Sequence, residues 1–322
     1  MVKKIITFLK YPLMIFLVAY LILSGKFNFG LLKDFFSFHG LCYLAVVMLL
    51  LFITQLLFSV RYKLFMKVLG YFTRLKPVFS ITMVGLFYNN FLPGGTGGDV
   101  ARAYYTKHLF GVPLPAATAT TLLDRIIALL GLLVVTVLSF VGLVCSKGNT
   151  AGVFSEQKIA ISIAVLIPLS IIMCLFLIRL PSIYSILQKL FSKFIFGKAI
   201  ASVFDTFRVL MTHTKTLGLS LILCIMGHII TISCVTLLAW FLYGTQAVKP
   251  TLVFSGLVFL LSAVPVTPGN IGWTEWLADS FYRSMGMDGG ATVFILWRLV
   301  LLLFSLAGGF IYLRIHNMKE NK

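Results

Sequence analysis

Acidic side chains are scarce in this chain: nine Asp and Glu stand against 27 Lys and Arg in 322 residues. So few carboxylates argue against a metal-dependent headgroup transferase, which needs several of them close together. Charged residues of both signs reach only 11 %, where a soluble domain carries about 25 %. The five cysteines, Cys42, Cys145, Cys174, Cys224 and Cys234, show no C-x-x-C spacing. That argues against a zinc site or a disulfide framework and leaves them as small packing residues. No G-x-x-x-x-G-K-[ST] segment occurs, so nothing points to nucleotide hydrolysis. His39, His108, His213, His228 and His316 are scattered, and only His228 lies inside an apolar run, where a hydrogen-bonded packing role outranks a proton relay. No cofactor and no metal ion are expected.

What fills the chain instead is apolar: 60 % of its residues are hydrophobic and the mean hydropathy is +1.03. The runs Ile5–Leu23, Leu41–Val60, Leu122–Val144, Ile159–Ile178, Leu217–Leu242 and Ala291–Leu313 are each long enough, or nearly so, to cross about 30 Å of hydrocarbon. Lys10 interrupts the first run and no A-x-A-like cleavage site follows it, so it reads as a span and not a signal peptide. Val78–Leu92 and Leu252–Val266 are shorter and end in helix breakers. If both are re-entrant and the N-terminus is cytoplasmic, 19 basic residues face the cytoplasm and 6 face out; if both span, the division is 14 to 11. The positive-inside rule favours the first arrangement. The net charge of +18 is then a topology signal and needs no nucleic-acid partner. The expectation is an all-α polytopic protein of the cell membrane with cytoplasmic termini, six full spans and two re-entrant helical hairpins.

Three spans separate the hairpins, so the second is inverted relative to the first. The repeats cover about 77–145 and 250–314. Pro93 and Pro268, Gly94 and Gly269, and Gly111 and Gly286 are each 175 residues apart, Asp99 and Glu275 are 176 apart, and Arg125 and Arg298 are 173 apart. Between the repeats, 179–215 is too polar to span. Ile183, Leu187, Leu190 and Phe194 share one helical face, and Val203, Phe207 and Leu210 resume the pattern after Gly197. Such a connector either lies on anionic inner-leaflet lipid or packs on the bundle.

An arginine near a bilayer centre costs roughly 2.5–3.5 kcal/mol even on the lenient insertion scale, so Arg125 and Arg298 mark a functional centre or buried ion bridges. The functional reading is an anionic headgroup held by guanidinium. The structural reading pairs Arg298 with Glu275, and Arg125 with Asp99 or Asp124. In the first break, Gly94, Gly95, Gly97 and Gly98 permit close backbone approach, or serve a tight turn through sterics alone. Asp99 caps the helix beginning at Val100, Arg102 lies a turn on, and Asn89 and Asn90 sit at the tip of the preceding half-helix. In the second, Gly269, Asn270, Gly272, Thr274 and Glu275 repeat that logic. Trp273, Trp276 and Trp297 flank it as expected anchors.

LPGGTGGDVARAYY, the Asp-Arg span, TPGNIGWTE and the final span with arginine together resemble the transmembrane region of lysylphosphatidylglycerol synthases, a flippase-like membrane family. The resemblance covers essentially the whole chain and departs from the family pattern at Asn270, where a further glycine is typical. It implies a bacterial or archaeal protein that moves a lipid, or a lipid-linked intermediate, between leaflets. The chain stops at Lys322 directly after the last span, so the lysyl transfer of the synthases' soluble domain is not expected. The leading expectation is translocation of an anionic phospholipid or a polyprenyl-phosphate-linked lipid, either energy-independent, ion-coupled, or driven by consumption of lipid on one side. Two alternatives stay open: an intramembrane lipid-phosphate transferase with Asp99 or Glu275 as base, and a noncatalytic membrane partner of a separate lipid- or glycan-modifying enzyme.

Overall fold

The computed structural model describes residues 37–91, 97–145, 197–264 and 266–320, with isolated positions before residue 37. The expected spans Ile5–Leu23 (almost wholly) and Ile159–Ile178, the connector up to Phe196, and Leu92–Thr96 of the first break lie outside the described residues. Every element among the described residues is helical.

In chain order the helices are α1 (Phe38–Val68), α2 (Leu75–Phe91), α3 (Gly97–Phe110), α4 (Leu114–Cys145), α5 (Gly197–Thr212), α6 (Thr214–Tyr243), α7 (Val248–Ser262), α8 (Trp273–Arg283) and α9 (Gly290–Glu320). Ser37 starts α1 by accepting the Gly40 N–H at 3.3 Å. Pro113 and Pro115 flank the start of α4, where proline costs no intrahelical hydrogen bond. A 3-10 turn at Gly244–Ala247 joins α6 to α7 with little interruption. Four stretches are long and apolar enough to cross a membrane: Phe38–Val68, Leu114–Leu143, Thr214–Ser262 and Gly290–Ile315. Their outer faces are apolar as well. Leu49 and Phe52 on α1, Leu122 and Leu138 on α4, Ile222 and Ile229 on α6, and Leu303 and Phe310 on α9 are all exposed. In water such faces would be a liability, but in hydrocarbon they match the solvent.

The lengths of the helices recur in order. α1, α2, α3 and α4 have 31, 17, 14 and 32 residues, and α6, α7, α8 and α9 have 30, 15, 11 and 31. Their packing recurs too. Contacts of α1 with α2, α2 with α3, α3 with α4 and α1 with α4 are matched by α6 with α7, α7 with α8, α8 with α9 and α6 with α9. The halves also cross over: α2 packs on α9, α7 packs on α4, and α1 and α6 pack on each other.

Where lipid is as apolar as the side chains, helices associate through close contact, and small residues permit it. A methyl group at Gly308 of α9 would collide with the Met83 carbonyl of α2. One at Gly256 of α7 would meet Thr136 of α4. The main core joins Val47 and Leu51 of α1 to Leu238, Phe254, Phe281 and Phe294. A second cluster gathers Tyr62, Met66, Ile81, Val84 and Ala103. In a third, Phe207 and Leu210 of α5 pack with Leu123 and Ile127 of α4. The described part of the connector is thus seated on the bundle.

Gly308→Ala is expected to cost about 1–3 kcal/mol through overpacking against rigid backbone. Gly218→Ala, on α6 with nothing within 4 Å, should be neutral or stabilising by up to about 1 kcal/mol. Thermal melts of the two variants in detergent compare the cases directly.

Candidate functional site

Each long helix that carries a repeated arginine uses it to hold the short helix before it. Arg125 Nε on α4 lies 2.8 Å from Asp99 Oδ2, and Asp99 is the third residue of α3. Arg298 Nε on α9 lies 2.7 Å from Glu275 Oε1, and Glu275 is the third residue of α8. The expected pair Arg298–Glu275 is present, and of the two partners considered for Arg125 it is Asp99 that pairs with it. Beyond this shared pairing the two sites differ.

At the second break Arg298 is consumed by the fold. Its Nη1 donates to Gly269 O at 2.9 Å and its Nη2 to Asn270 O at 3.1 Å. Glu275 Oε2 accepts the Gly272 N–H at 2.8 Å. Asn270 Nδ2 donates to Ser262 O, and the Thr274 and Ser262 hydroxyls are 3.0 Å apart. Gly269, Asn270 and Gly272 have φ of 61°, 54° and 80°, the left-handed region that glycine enters freely and asparagine tolerates. The backbone thus turns its carbonyls onto Arg298. The Glu275 carboxylate occupies the start of α8, so an incoming anion there would meet a like charge. Trp273 stacks on Trp276, with ring centroids 5.4 Å apart. Trp297 is buried against Phe259 and is packing, not an interface anchor.

The first break is built around Asp124 instead. This carboxylate is 3 % exposed. It accepts from Arg61 Nε at 2.6 Å through one oxygen and from Arg102 Nη2 at 2.9 Å through the other. Arg61 sits on α1 with its guanidinium 4.8 Å from the Phe58 ring centroid, and Arg102 lies 4.3 Å from that of Tyr62. Gly85 makes room for Arg102, since a Cβ there would strike the arginine's stem. Gly98 has the same kind of reason: its N–H donates to Asn89 Oδ1 at 2.9 Å, and a Cβ would run into Asn89 and the Gly85 carbonyl. Gly97 begins α3. Asn90 Nδ2 turns back to Leu86 O at 2.9 Å, within its own helix. Gly94 and Gly95 lie outside the described residues.

These side chains border a cavity of about 210 Å³, lined by Gln55, Phe58, Arg61, Thr82, Gly85, Leu86, Asn89, Arg102, Asp124, Arg125 and Ala128. Arg125 is the half-exposed member, its side chain 45 % exposed, and its partner Asp99 is 22 % exposed. Buried Arg61 Nη1 and Arg102 Nε have no hydrogen-bond partner among the described residues. Nearby, a His228 ring nitrogen is 3.0 Å from Ala128 O, with Phe58 beside the ring. That is the hydrogen-bonded packing role expected of it.

Arg61 directly follows the apolar run Leu41–Val60 and was not among the expected site residues. In the structure α1 runs on to Val68, and Arg61 is 3 % exposed. The signal was legible: Phe58, Tyr62, Phe65, Met66 and Leu69 carry a helical stripe past the arginine. Gln55 and Thr82 were likewise missed as cavity residues.

The profile of the Lysylphosphatidylglycerol synthase TM region family matches residues 7–309, and the chain belongs to that family. The chain is also 34 % identical over 86 residues to the UPF0104 membrane protein MJ1595 of Methanocaldococcus jannaschii, a match covering 26 % of each chain. No solved structure matches it.

Asp124→Ala leaves two arginines buried without their counter-charge. It should lower stability by about 3–5 kcal/mol. Asp99→Ala breaks a half-exposed pair and should cost about 1 kcal/mol or less. Melting of the two purified variants in detergent measures the contrast, and equal losses would contradict it.

Proposed function

We propose that this member of the lysylphosphatidylglycerol synthase transmembrane-region family is a lipid translocase. An anionic headgroup, on a phospholipid or a polyprenyl phosphate, enters the cavity beside Arg61, Arg102 and Arg125 while its tail stays in the bilayer. The observation that carries this reading is the cavity itself: three arginines line a polar pocket inside a bundle whose outer faces are apolar. Guanidinium suits phosphate because it offers planar, paired N–H donors, and two such arginine nitrogens are buried without an acceptor among the described residues. The family name, which refers to a synthase of a phosphatidylglycerol derivative, is compatible with a phospholipid ligand.

In this proposal α2–α3 and α7–α8 are re-entrant hairpins of an inverted repeat, with both termini on the cytoplasmic side of the cell membrane. The recurrence of helix lengths and packing between the halves supports the repeat. The shortness of α2 and α7, 17 and 15 residues, against about 20 needed to span, supports re-entry. Each break then sits where two half-helices meet, as in transporters built from inverted repeats. The transferase reading finds less support, because Asp99 and Glu275, its two candidate bases, are each held by an arginine.

Exchange of labelled phospholipids and of a polyprenyl phosphate between the leaflets of liposomes containing the purified protein tests the proposal. Arg125→Ala should slow exchange at least about tenfold, the effect of losing one charged hydrogen bond. Arg283→Ala, whose half-exposed side chain pairs with Asp279 and Asp288 on α8 and its following turn, should leave the rate unchanged. A folded wild-type protein that moves none of these lipids would sink the reading.

A further inference from the structure

The arginines at the cavity are unequally neutralised. Arg125 is paired with Asp99 at 2.8 Å. Arg61 and Arg102 share Asp124, each giving it one N–H, at 2.6 and 2.9 Å. Each of the two also keeps a spare buried donor, Nη1 on Arg61 and Nε on Arg102, without a partner among the described residues. Among the described residues, two guanidinium charges against one carboxylate leave one positive charge over. A buried charge without a counter-charge is costly, and in a low-dielectric pocket a second, repelling charge is costly too. One negative charge on a ligand therefore completes the group, and a second overfills it.

The corresponding places of the other half hold no such group. Thr236 stands 175 residues after Arg61, Ala278 stands 176 after Arg102, and Trp297 stands 173 after Asp124. The device belongs to one break only and is separate from the clamping role that Arg125 and Arg298 share.

We propose that Asp124 is a positioning residue that sets the charge capacity of the cavity at one. It neutralises one of the two guanidinium charges of Arg61 and Arg102 and restricts the ligand to an oxyanion with a single negative charge. A phosphodiester headgroup is accepted over a dianionic phosphomonoester, so of the two ligands considered above the rule selects the diester phospholipid over the polyprenyl phosphate. The inference rests on the reading of this cavity as the headgroup site and adds the rule by which it selects.

The test needs no variant. Binding of two short-chain lipids to the purified full chain in detergent is measured at pH 5.5 and pH 8: a phosphatidylglycerol, a diester, and a phosphatidic acid, a monoester. The monoester gains its second charge across that range, its second pKa being about 6, while the diester keeps one charge throughout. The diester therefore reports any change in the protein itself, including His228 on α6, Asp99 on α3 and the arginines of α1, α3 and α4 around the cavity. The two lipids should bind alike at pH 5.5, and the monoester at least about tenfold more weakly than the diester at pH 8. In Asp124→Asn, if it folds, the capacity rises to two, and the monoester at pH 8 should bind at least as well as the diester. A monoester that matches the diester at pH 8 in the wild-type protein overturns the proposal whatever the variant does. Binding of neither lipid at either pH removes the headgroup site itself, and the charge rule falls with it.

Discussion

An arginine placed in hydrocarbon must bring an anion with it, and much of this structure follows from that demand. Arg125 fixes the start of α3 through Asp99, and Arg298 fixes the start of α8 through Glu275. Asp124 imposes a further demand, because a buried carboxylate needs cations and draws α1 and α3 to α4 through Arg61 and Arg102. Five charged side chains thus set how three helices meet around the first cavity. Removing one partner of a buried pair costs more than never having had the pair, so such a network tolerates little loss at its centre and more at its half-exposed edge.

The repeated elements were largely legible in the sequence. Proline and glycine punctuate the breaks, and an acid followed by an arginine in the next long helix repeats at nearly constant spacing. Those features are local, and their consequences are local: the ion pair each half forms is the one that spacing suggests. What escaped was pairing at long range. Asp124 and Arg125 are neighbours in sequence, yet they serve different partners on different helices. Arg61 comes from α1, 63 residues before Asp124, and no periodicity within a single helix announces such a contact. It was missed by ending the apolar run at the first charge, whereas α1 continues because its apolar stripe does.

The two halves share a plan and differ in use. In the second, Arg298 holds Glu275 and two backbone carbonyls, and Glu275 holds a backbone N–H. In the first, among the described residues, the arginines outnumber the acids that face the cavity, and donors are left over. Two halves of matching helix order thus differ in how their breaks are held, and in the proposed function only the first receives a ligand. The difference lies in a handful of side chains and not in the course of the helices.

The crossed packing of α2 on α9 and of α7 on α4 bears on how the chain is made. Met83 meets Gly308 only after 225 more residues have been synthesised. At about 5–20 residues per second that interval is roughly 10–45 s. Throughout it α2 and α3 are without their final neighbour, while for most of it the acids and arginines of α1, α3 and α4 are already present. Insertion machinery or lipid must shelter that half until the last helix arrives, so the newborn protein depends most on its surroundings just before it is finished.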